Sequence, residues 1–142
     1  MPIEIATQVD DELYEAFQRL IPQLTNSNPP PSLDLLHALL ADASSTLLLA
    51  RSDAGVIIGT LTLIVYKVPT GIRSIIEDVI VDISTRGQGV GEALMFRAIE
   101  IAKEKDVSSI SLTSNPQRLA ANQLYIKLGF TKRETNSYQM KL

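Results

Sequence analysis

The spacing of apolar residues divides the chain into alternating strand and helix patterns. Short apolar runs rich in β-branched residues predict strands at residues 3–8, 46–51, 56–67, 74–82 and 109–113. Apolar residues three and four positions apart predict helices that begin at Asp11, Ser32, Gly91 and Arg118. The alternation from Phe130 to the C-terminus predicts one or two further strands.

Turn-forming residues separate these elements. The first helix is expected to end before Pro29, Pro30 and Pro31, because a run of prolines stops a helix, and residues 52–55 form a turn that makes a hairpin of the strands on either side. The resulting order of elements indicates an α+β, or mixed α/β, fold with a mostly antiparallel sheet and helices on both faces. No repeat or linker interrupts the pattern, so residues 1–142 are expected to form a single domain.

Composition excludes several classes of protein. The chain has 142 residues, no Cys and a single His, which excludes a disulfide scaffold, a cysteine nucleophile and a multi-histidine metal site. No metal is therefore expected. The net charge of −3 and the lack of Trp argue against nucleic-acid binding, which uses basic surfaces and aromatic stacking platforms.

Membrane attachment is not expected either. The N-terminus lacks the basic region followed by an apolar stretch that a signal peptide requires. The most apolar segment, residues 56–66, contains Thr60 and Thr62 and is too short to cross a bilayer. We therefore expect a cytoplasmic protein with no membrane partner.

The most informative segment is a glycine-rich turn between the strand that ends near Asp82 and the helix that begins near Gly89. Glycine lets the backbone turn tightly and lets a ligand approach it closely. The first N–H groups of the helix and its positive dipole end favour an anion such as a pyrophosphate. The turn consists of Arg86, Gly87, Gln88, Gly89, Val90 and Gly91.

Three phosphate-binding motifs are compared with this turn. A Walker loop requires Lys and then Ser or Thr after its last glycine, but Glu92 follows Gly91. A dinucleotide-binding fingerprint requires G-x-G-x-x-G, whereas the spacing here is G-x-G-x-G. The third motif, R/Q-x-x-G-x-G/A, is matched by Arg86, Gly89 and Gly91.

The third motif resembles the acetyl-CoA loop of the GNAT (Gcn5-related N-acetyltransferase) superfamily. Residues 121–130, A-N-Q-L-Y-I-K-L-G-F, resemble the second signature of that family, A-x-x-L-Y-x-x-x-G-F, and the order of elements matches over essentially the whole chain. The resemblance implies the GNAT fold, with a twisted, mostly antiparallel sheet of six to seven strands and about four helices. It also implies transfer of an acetyl group from acetyl-CoA to a primary amine by direct attack in a ternary complex.

The resemblance further implies which residues bind acetyl-CoA. Residues 86–91 would bind its pyrophosphate through backbone N–H groups, and the backbone of Val79, Ile80 and Val81 would pair with its pantetheine arm. Many relatives carry an Asn that contacts this arm at the position of Arg118, so that contact is not assigned to Arg118. Asn122 is kept as a candidate cofactor-binding residue.

Tyr125 and Glu77 are the candidate catalytic residues that the resemblance implies. A tyrosine at the position of Tyr125 lies near the sulfur of CoA in the family, and a phenol remains protonated at neutral pH and can donate to the leaving thiolate. Glu77 is expected to share a strand face with Val79 and Val81, where partial desolvation would raise its pKa and make it a better base. Asp78 is the second candidate base. Tyr125 could instead be a core residue, and Glu77 a solvated acid.

The acceptor is expected to be a small-molecule amine or an amine of a peptide or protein, and a homodimer is the candidate assembly. Two other functions stay open on the sequence alone. One is a non-catalytic acyl-CoA-binding sensor or subunit, and the other is a nucleotide-binding domain of an unrelated type.

Overall fold

Five strands form one sheet in the order in which they occur along the chain, in a computed structural model that describes residues 1–142. The first four strands pair antiparallel, and only the last pair is parallel. The strands are β1 (Ile3–Ile5), β2 (Ser45–Arg51), β3 (Ile57–Val68), β4 (Gly71–Val81) and β5 (Ile110–Ser111).

The chain separates into two compact units. The first unit, Met1–Leu112, contains the whole sheet, and the second unit, Thr113–Leu142, contains a single helix, α4 (Leu119–Lys127). The helices of the first unit are α1 (Asp11–Leu24), α2 (Leu33–Ala41) and α3 (Val90–Glu104), and a short 3-10 turn spans Ile83–Thr85.

Side-chain caps fix where α1 and α2 begin. The Asp10 carboxylate accepts a hydrogen bond from the backbone N–H of Leu13 at 2.9 Å, and the Ser32 hydroxyl accepts one from the N–H of Leu35 at 3.1 Å. Each cap satisfies an N–H group that has no partner within its own helix. The predicted starts of both helices are therefore confirmed to within a residue.

The register of β2, β3 and β4 assigns the helices to opposite faces of the sheet. Directly opposed residues of antiparallel strands share a face, so Leu49, Thr60 and Ile80 lie on one face, and Ala50, Gly59 and Val81 lie on the other. The first face packs against α1 in a buried apolar cluster. Its members are Leu13, Ala16, Phe17, Leu20, Ile21, Leu36, Leu47, Leu49, Ile57 and Ile80.

Helix α3 packs on the other face, and its first turn lies directly over Gly59. A Cβ atom at this position would come within 2.9 Å of Val90 Cγ1, 3.1 Å of Leu94 Cδ1 and 3.2 Å of the Ile80 carbonyl oxygen. Both Val90 and Leu94 are fully buried. Only glycine therefore lets the start of α3 approach β3 this closely.

The mostly antiparallel sheet with helices on both faces is confirmed, but the number of strands differs from the prediction. The sheet has five strands rather than six to seven, and residues 130–142 form no strand. The alternating residues Tyr138, Met140 and Leu142 are all highly exposed, at 83% or more of their surface. Alternation predicted a strand there, but a strand is stabilised only when its apolar face is buried and its edge is paired.

We expect Gly59→Ala to lower the free energy of unfolding by about 1–3 kcal/mol, because overpacking forces buried groups apart. The measurement is urea-induced unfolding. Val90→Ala removes the nearest atom that the new Cβ would meet, so the double variant should lose less than the two single losses combined. Additive losses of unfolding free energy would show that Val90 does not limit the space at Gly59.

Candidate functional site

A β-bulge interrupts β4 close to its C-terminal end. Thr62 pairs with Glu77 and Thr60 pairs with Ile80, so β4 uses one residue more than β3 over this stretch. Asp78, within the bulge, has a φ of +49°, in the left-handed region that few residues other than glycine adopt. Bulges locally re-aim side chains and disturb the hydrogen-bond ladder.

The bulge changes which face Glu77 occupies relative to the end of the strand. Glu77 lies on the face of its partner Thr62, and Ile80 lies on the same face with Thr60, whereas Val81 lies opposite Gly59 on the other face. The expectation that Glu77 shares its face with Val81 is therefore wrong. Simple alternation fails here because the extra residue shifts it by one position.

The edge of β4 that faces β5 is paired only over a short distance. Ser74 and Ile75 are the residues that pair with β5, and residues 76–81 have no strand beside them on that side. Part of their N–H and C=O groups points away from β3. An extended ligand with amide groups could pair with this stretch, which includes the predicted cofactor-binding residues Val79, Ile80 and Val81.

The glycine-rich turn follows this edge after the short 3-10 turn at Ile83–Thr85. Gly87 and Gly89 both have a φ of +83°, and no atom lies within 4 Å of the position of a Cβ at either residue. Arg86, Gly87, Gln88 and Gly89 are all exposed. The turn therefore leaves an open space beside its backbone, and a side chain on either glycine would extend into that space.

The N-terminus of α3 completes the turn. Gly89 is the N-cap and supplies no side-chain hydrogen bond, and the first backbone bond inside the helix runs from the Ala93 N–H to the Gly89 carbonyl at 3.0 Å. The N–H groups of Val90 and Gly91 precede that bond and point toward the helix end. With the positive end of the helix dipole they suit an anionic group such as a pyrophosphate.

Arg86 and Val90 contribute to this turn in different ways. The Arg86 Nε donates to the Val81 carbonyl at 3.3 Å, which holds the guanidinium near the C-terminal end of β4. The Val90 side chain is buried, so this residue can offer a ligand only its backbone N–H. The residues present thus fit an acetyl-CoA molecule whose pyrophosphate is bound by main-chain amides.

Two carboxylates lie at the bulge itself. Glu77 is an exposed residue of the strand, but partial desolvation raises the pKa of its carboxyl, and the negative charge of the adjacent Asp78 raises it further. A glutamate with a raised pKa is a stronger base than an ordinary glutamate. Glu77 can therefore accept a proton at the position where β4 bends.

Helix α1 holds the segment between β4 and the glycine-rich turn. The Arg19 Nε lies 3.4 Å from an Asp82 carboxylate oxygen, and the Gln23 Oε1 accepts the N–H of Ile83 at 2.8 Å. The pKa of Asp82 is lowered by hydrogen bonds from Ser84 and by the Arg19 charge. The sequence analysis missed these contacts. The available signal was the spacing of Arg19 and Gln23, one helical turn apart beside the apolar face of α1.

The second unit contains the other predicted residues. Tyr125 is buried and packs edge-on against Phe130, with ring centroids 6.1 Å apart, and burial raises the pKa of its phenol while Arg118 partly opposes this. The Asn122 side chain donates to the Asn115 carbonyl at 3.0 Å. The structure brings Glu77, the end of β4 and the glycine-rich turn together in the first unit, whereas the roles of Tyr125 and Asn122 stay predictions.

No helix in the structure combines the length and the apolar character that crossing a membrane requires.

Comparisons with known proteins agree with this geometry. The family model of the acetyltransferase (GNAT) family matches residues 11–130. A glucosamine 6-phosphate N-acetyltransferase of Trypanosoma brucei brucei is 34% identical over 131 residues, which cover 87% of this chain and 84% of that protein.

Solved structures show the same fold. An acetyltransferase of Trypanosoma brucei superposes with a TM-score of 0.76 at 28% identity, over 99% of this chain and all of that one. An aminoglycoside acetyltransferase from an uncultured soil metagenomic sample superposes with a TM-score of 0.85 at 19% identity, over 99% and 95% of the two chains. The chain therefore belongs to the GNAT family of acetyl-CoA-dependent N-acetyltransferases.

Proposed function

We propose that the chain acetylates the primary amine of a phosphorylated amino sugar by direct attack on acetyl-CoA in a ternary complex. The observation that supports acetyl-CoA as the donor is the open turn at Gly87 and Gly89, which leads from the bulged end of β4 into α3. The acceptor class comes from the similarity to the trypanosomal glucosamine 6-phosphate N-acetyltransferase, which extends over 87% of the chain.

The donor is bound by main-chain groups in this proposal. The amides of the glycine-rich turn and of Val90 and Gly91 bind the pyrophosphate, and Arg86 contributes a permanent positive charge beside them. The free edge of Val79, Ile80 and Val81 aligns the pantetheine arm. This arrangement directs the thioester toward the bulge, where Glu77 lies.

The chemistry requires two proton transfers. The amine nitrogen attacks the thioester carbonyl carbon, the C–S bond breaks, the amine loses a proton, and the thiolate of CoA gains one. Glu77, directly or through a water molecule, accepts the proton from the amine. Tyr125 donates the proton to the thiolate, a role that suits a phenol kept neutral by its raised pKa. A covalent enzyme intermediate on sulfur is excluded because the chain has no Cys.

We further propose that both units act as one catalytic domain. The family match runs from residue 11 to residue 130 and so includes four of the five strands of the first unit and the helix of the second.

The proposed function is tested by release of CoA thiol from acetyl-CoA with a panel of amines. The panel contains glucosamine 6-phosphate, glucosamine, an aminoglycoside and a peptide with a free lysine. We expect the highest kcat/KM with the phosphorylated amino sugar. A preference for the peptide would contradict the proposed acceptor. CoA binding without turnover on any amine would instead indicate a non-catalytic acyl-CoA-binding module.

Gly89→Ala should weaken CoA binding at least tenfold, because its Cβ would occupy the space beside the turn. Gly55→Ala is a matched control. Gly55 has a φ of +84° and open space around it, but it lies in the β2–β3 hairpin. Both variants should lose about 1 kcal/mol of stability through backbone strain. CoA titrations measure the effect on binding, and thermal melts measure the effect on stability. Equal CoA affinities of the two variants would show that the turn does not bind CoA.

Glu77→Gln should lower kcat and leave the affinity for acetyl-CoA unchanged. In the unaltered enzyme, activity should rise with pH through a pKa above the ordinary 4.5, because the base works only when deprotonated. The variant should lack this acidic limb. Asp78→Asn removes the charge that helps raise the Glu77 pKa. The rise of activity with pH should therefore occur at lower pH in this variant than in the unaltered enzyme. Full activity of Glu77→Gln at pH 7 would exclude Glu77 as the base.

Tyr125→Phe should reduce turnover roughly 10–100-fold, at or below the lower limit of the range for general acids because a thiolate is a fair leaving group, while the aromatic packing against Phe130 is kept. Steady-state thiol release measures the effect, with melts and CoA titrations alongside. Tyr138→Phe, at an exposed tyrosine of the same unit, is the control and should change nothing. Unchanged turnover of Tyr125→Phe would mean that the thiolate leaves without an acid.

A further inference from the structure

The glycine-rich turn has few hydrogen bonds of its own and depends on what holds its two ends. Among residues 86–89, the one side-chain hydrogen bond runs from the Arg86 Nε to the Val81 carbonyl. Gly87 and Gly89 add conformational freedom, which costs binding energy if it must be lost when a ligand binds. A turn that is already fixed at both ends would avoid much of this cost.

The end of the turn that leads into α3 is fixed by packing. Val90 is buried and lies over Gly59, so the first residue of α3 cannot shift along the sheet without opening this contact. The end that follows β4 has no such contact. It is held by the backbone N–H of Asp82, which donates to the Ile58 carbonyl at 2.8 Å, and by polar groups of α1.

Two side chains of α1 form this second attachment. Arg19 reaches the Asp82 carboxylate at 3.4 Å and the Ile57 carbonyl at 2.5 Å, so it links the ends of β3 and β4 to the helix. Gln23 accepts the N–H of Ile83 at 2.8 Å. The Asp82 carboxylate also accepts the N–H and hydroxyl of Ser84, which fixes the short turn that follows.

The orientation of the Gln23 amide is determined by its own neighbours. Its Nε2 lies 3.4 Å from the Arg19 carbonyl, one helical turn earlier, so its oxygen is left to face the N–H of Ile83. Ile83 is the first residue after the Asp82 cap, four residues before Gly87. A displacement of this N–H would therefore be passed directly to the glycine-rich turn.

We infer that Gln23 and Arg19 are positioning residues that hold the segment leading into the glycine-rich turn and thereby set the affinity for acetyl-CoA. The inference rests on the proposed function of that turn as the pyrophosphate site. Neither side chain needs to touch the donor. Their role is to restrict the backbone at Asp82 and Ile83 before the donor binds.

The test compares three glutamine variants of α1. Gln23→Met keeps the length of the side chain but cannot accept the Ile83 N–H, whereas Gln23→Glu keeps an acceptor oxygen at the same position. Gln18→Met is the matched control, because Gln18 is an exposed residue of the same helix. The affinity for CoA, the KM values for acetyl-CoA and glucosamine 6-phosphate, and amide hydrogen exchange at Ile83 are measured for each.

We expect Gln23→Met to raise the Kd for CoA and the KM for acetyl-CoA about threefold to tenfold, the range that one neutral hydrogen bond supports. Exchange at Ile83 should become faster, and the KM for the amine should not change. Gln23→Glu and Gln18→Met should behave like the unaltered protein. Arg19→Met should act in the same direction as Gln23→Met, which keeps the inference testable if one variant fails to fold.

Two results would overturn the inference. One is a Gln23→Met variant with the CoA affinity of Gln18→Met. The other is an equal rise of both KM values with a matching loss of thermal stability, which would indicate a merely structural contact. The Gly89→Ala and Gly55→Ala pair separates this failure from that of the proposed function. If Gly89→Ala weakens CoA binding and Gln23→Met does not, only the positioning role is wrong.

Discussion

The contact between the first turn of α3 and Gly59 determines where this helix begins relative to the sheet. Val90 and Leu94 lie within about 3 Å of the position of a Cβ at Gly59, and both are fully buried. Because α3 is held there, its first N–H groups are presented next to the C-terminal end of β4. The proposed anion site therefore depends on the apolar packing of the first turn of α3, and the position of the glycine-rich turn depends on the same packing.

Polar contacts hold the segment between β4 and the glycine-rich turn. The Asp82 carboxylate ends β4, caps the short turn through Ser84 and meets Arg19 of α1. Its lowered pKa means that the ionised form is favoured in the folded protein, so this stabilisation is present at neutral pH and is lost as the pH falls through the lowered value. Helices on both faces of the sheet thus act on one short segment, α3 through apolar packing and α1 through charge and hydrogen bonds.

Sequence reasoning succeeded where the determining interactions are local. The caps of α1 and α2, the hairpins and the glycine-rich turn depend on residues a few positions apart, so their pattern is visible in the chain. The bulge at Asp78 was not visible, because it is defined by pairing with Thr60 and Thr62 of another strand. The same limit explains the unpaired residues 130–142, since alternation identifies a face but not a partner. The contacts of Arg19 and Gln23 with Asp82 and Ile83 also join residues that are far apart in sequence.

The bulge in β4 has a simple arithmetic consequence for the sheet. A chain without Val79 would place Asp78 opposite Leu61 and keep the pairs of Thr60 with Ile80 and of Thr62 with Glu77. The ladder between β3 and β4 would then run without interruption, and no other residue would change its partner. Pairing with β3 thus gives no reason for the extra residue. Its effect falls on the far edge of β4, which it lengthens by one peptide unit ahead of the glycine-rich turn, and this is the edge that we propose pairs with the pantetheine arm.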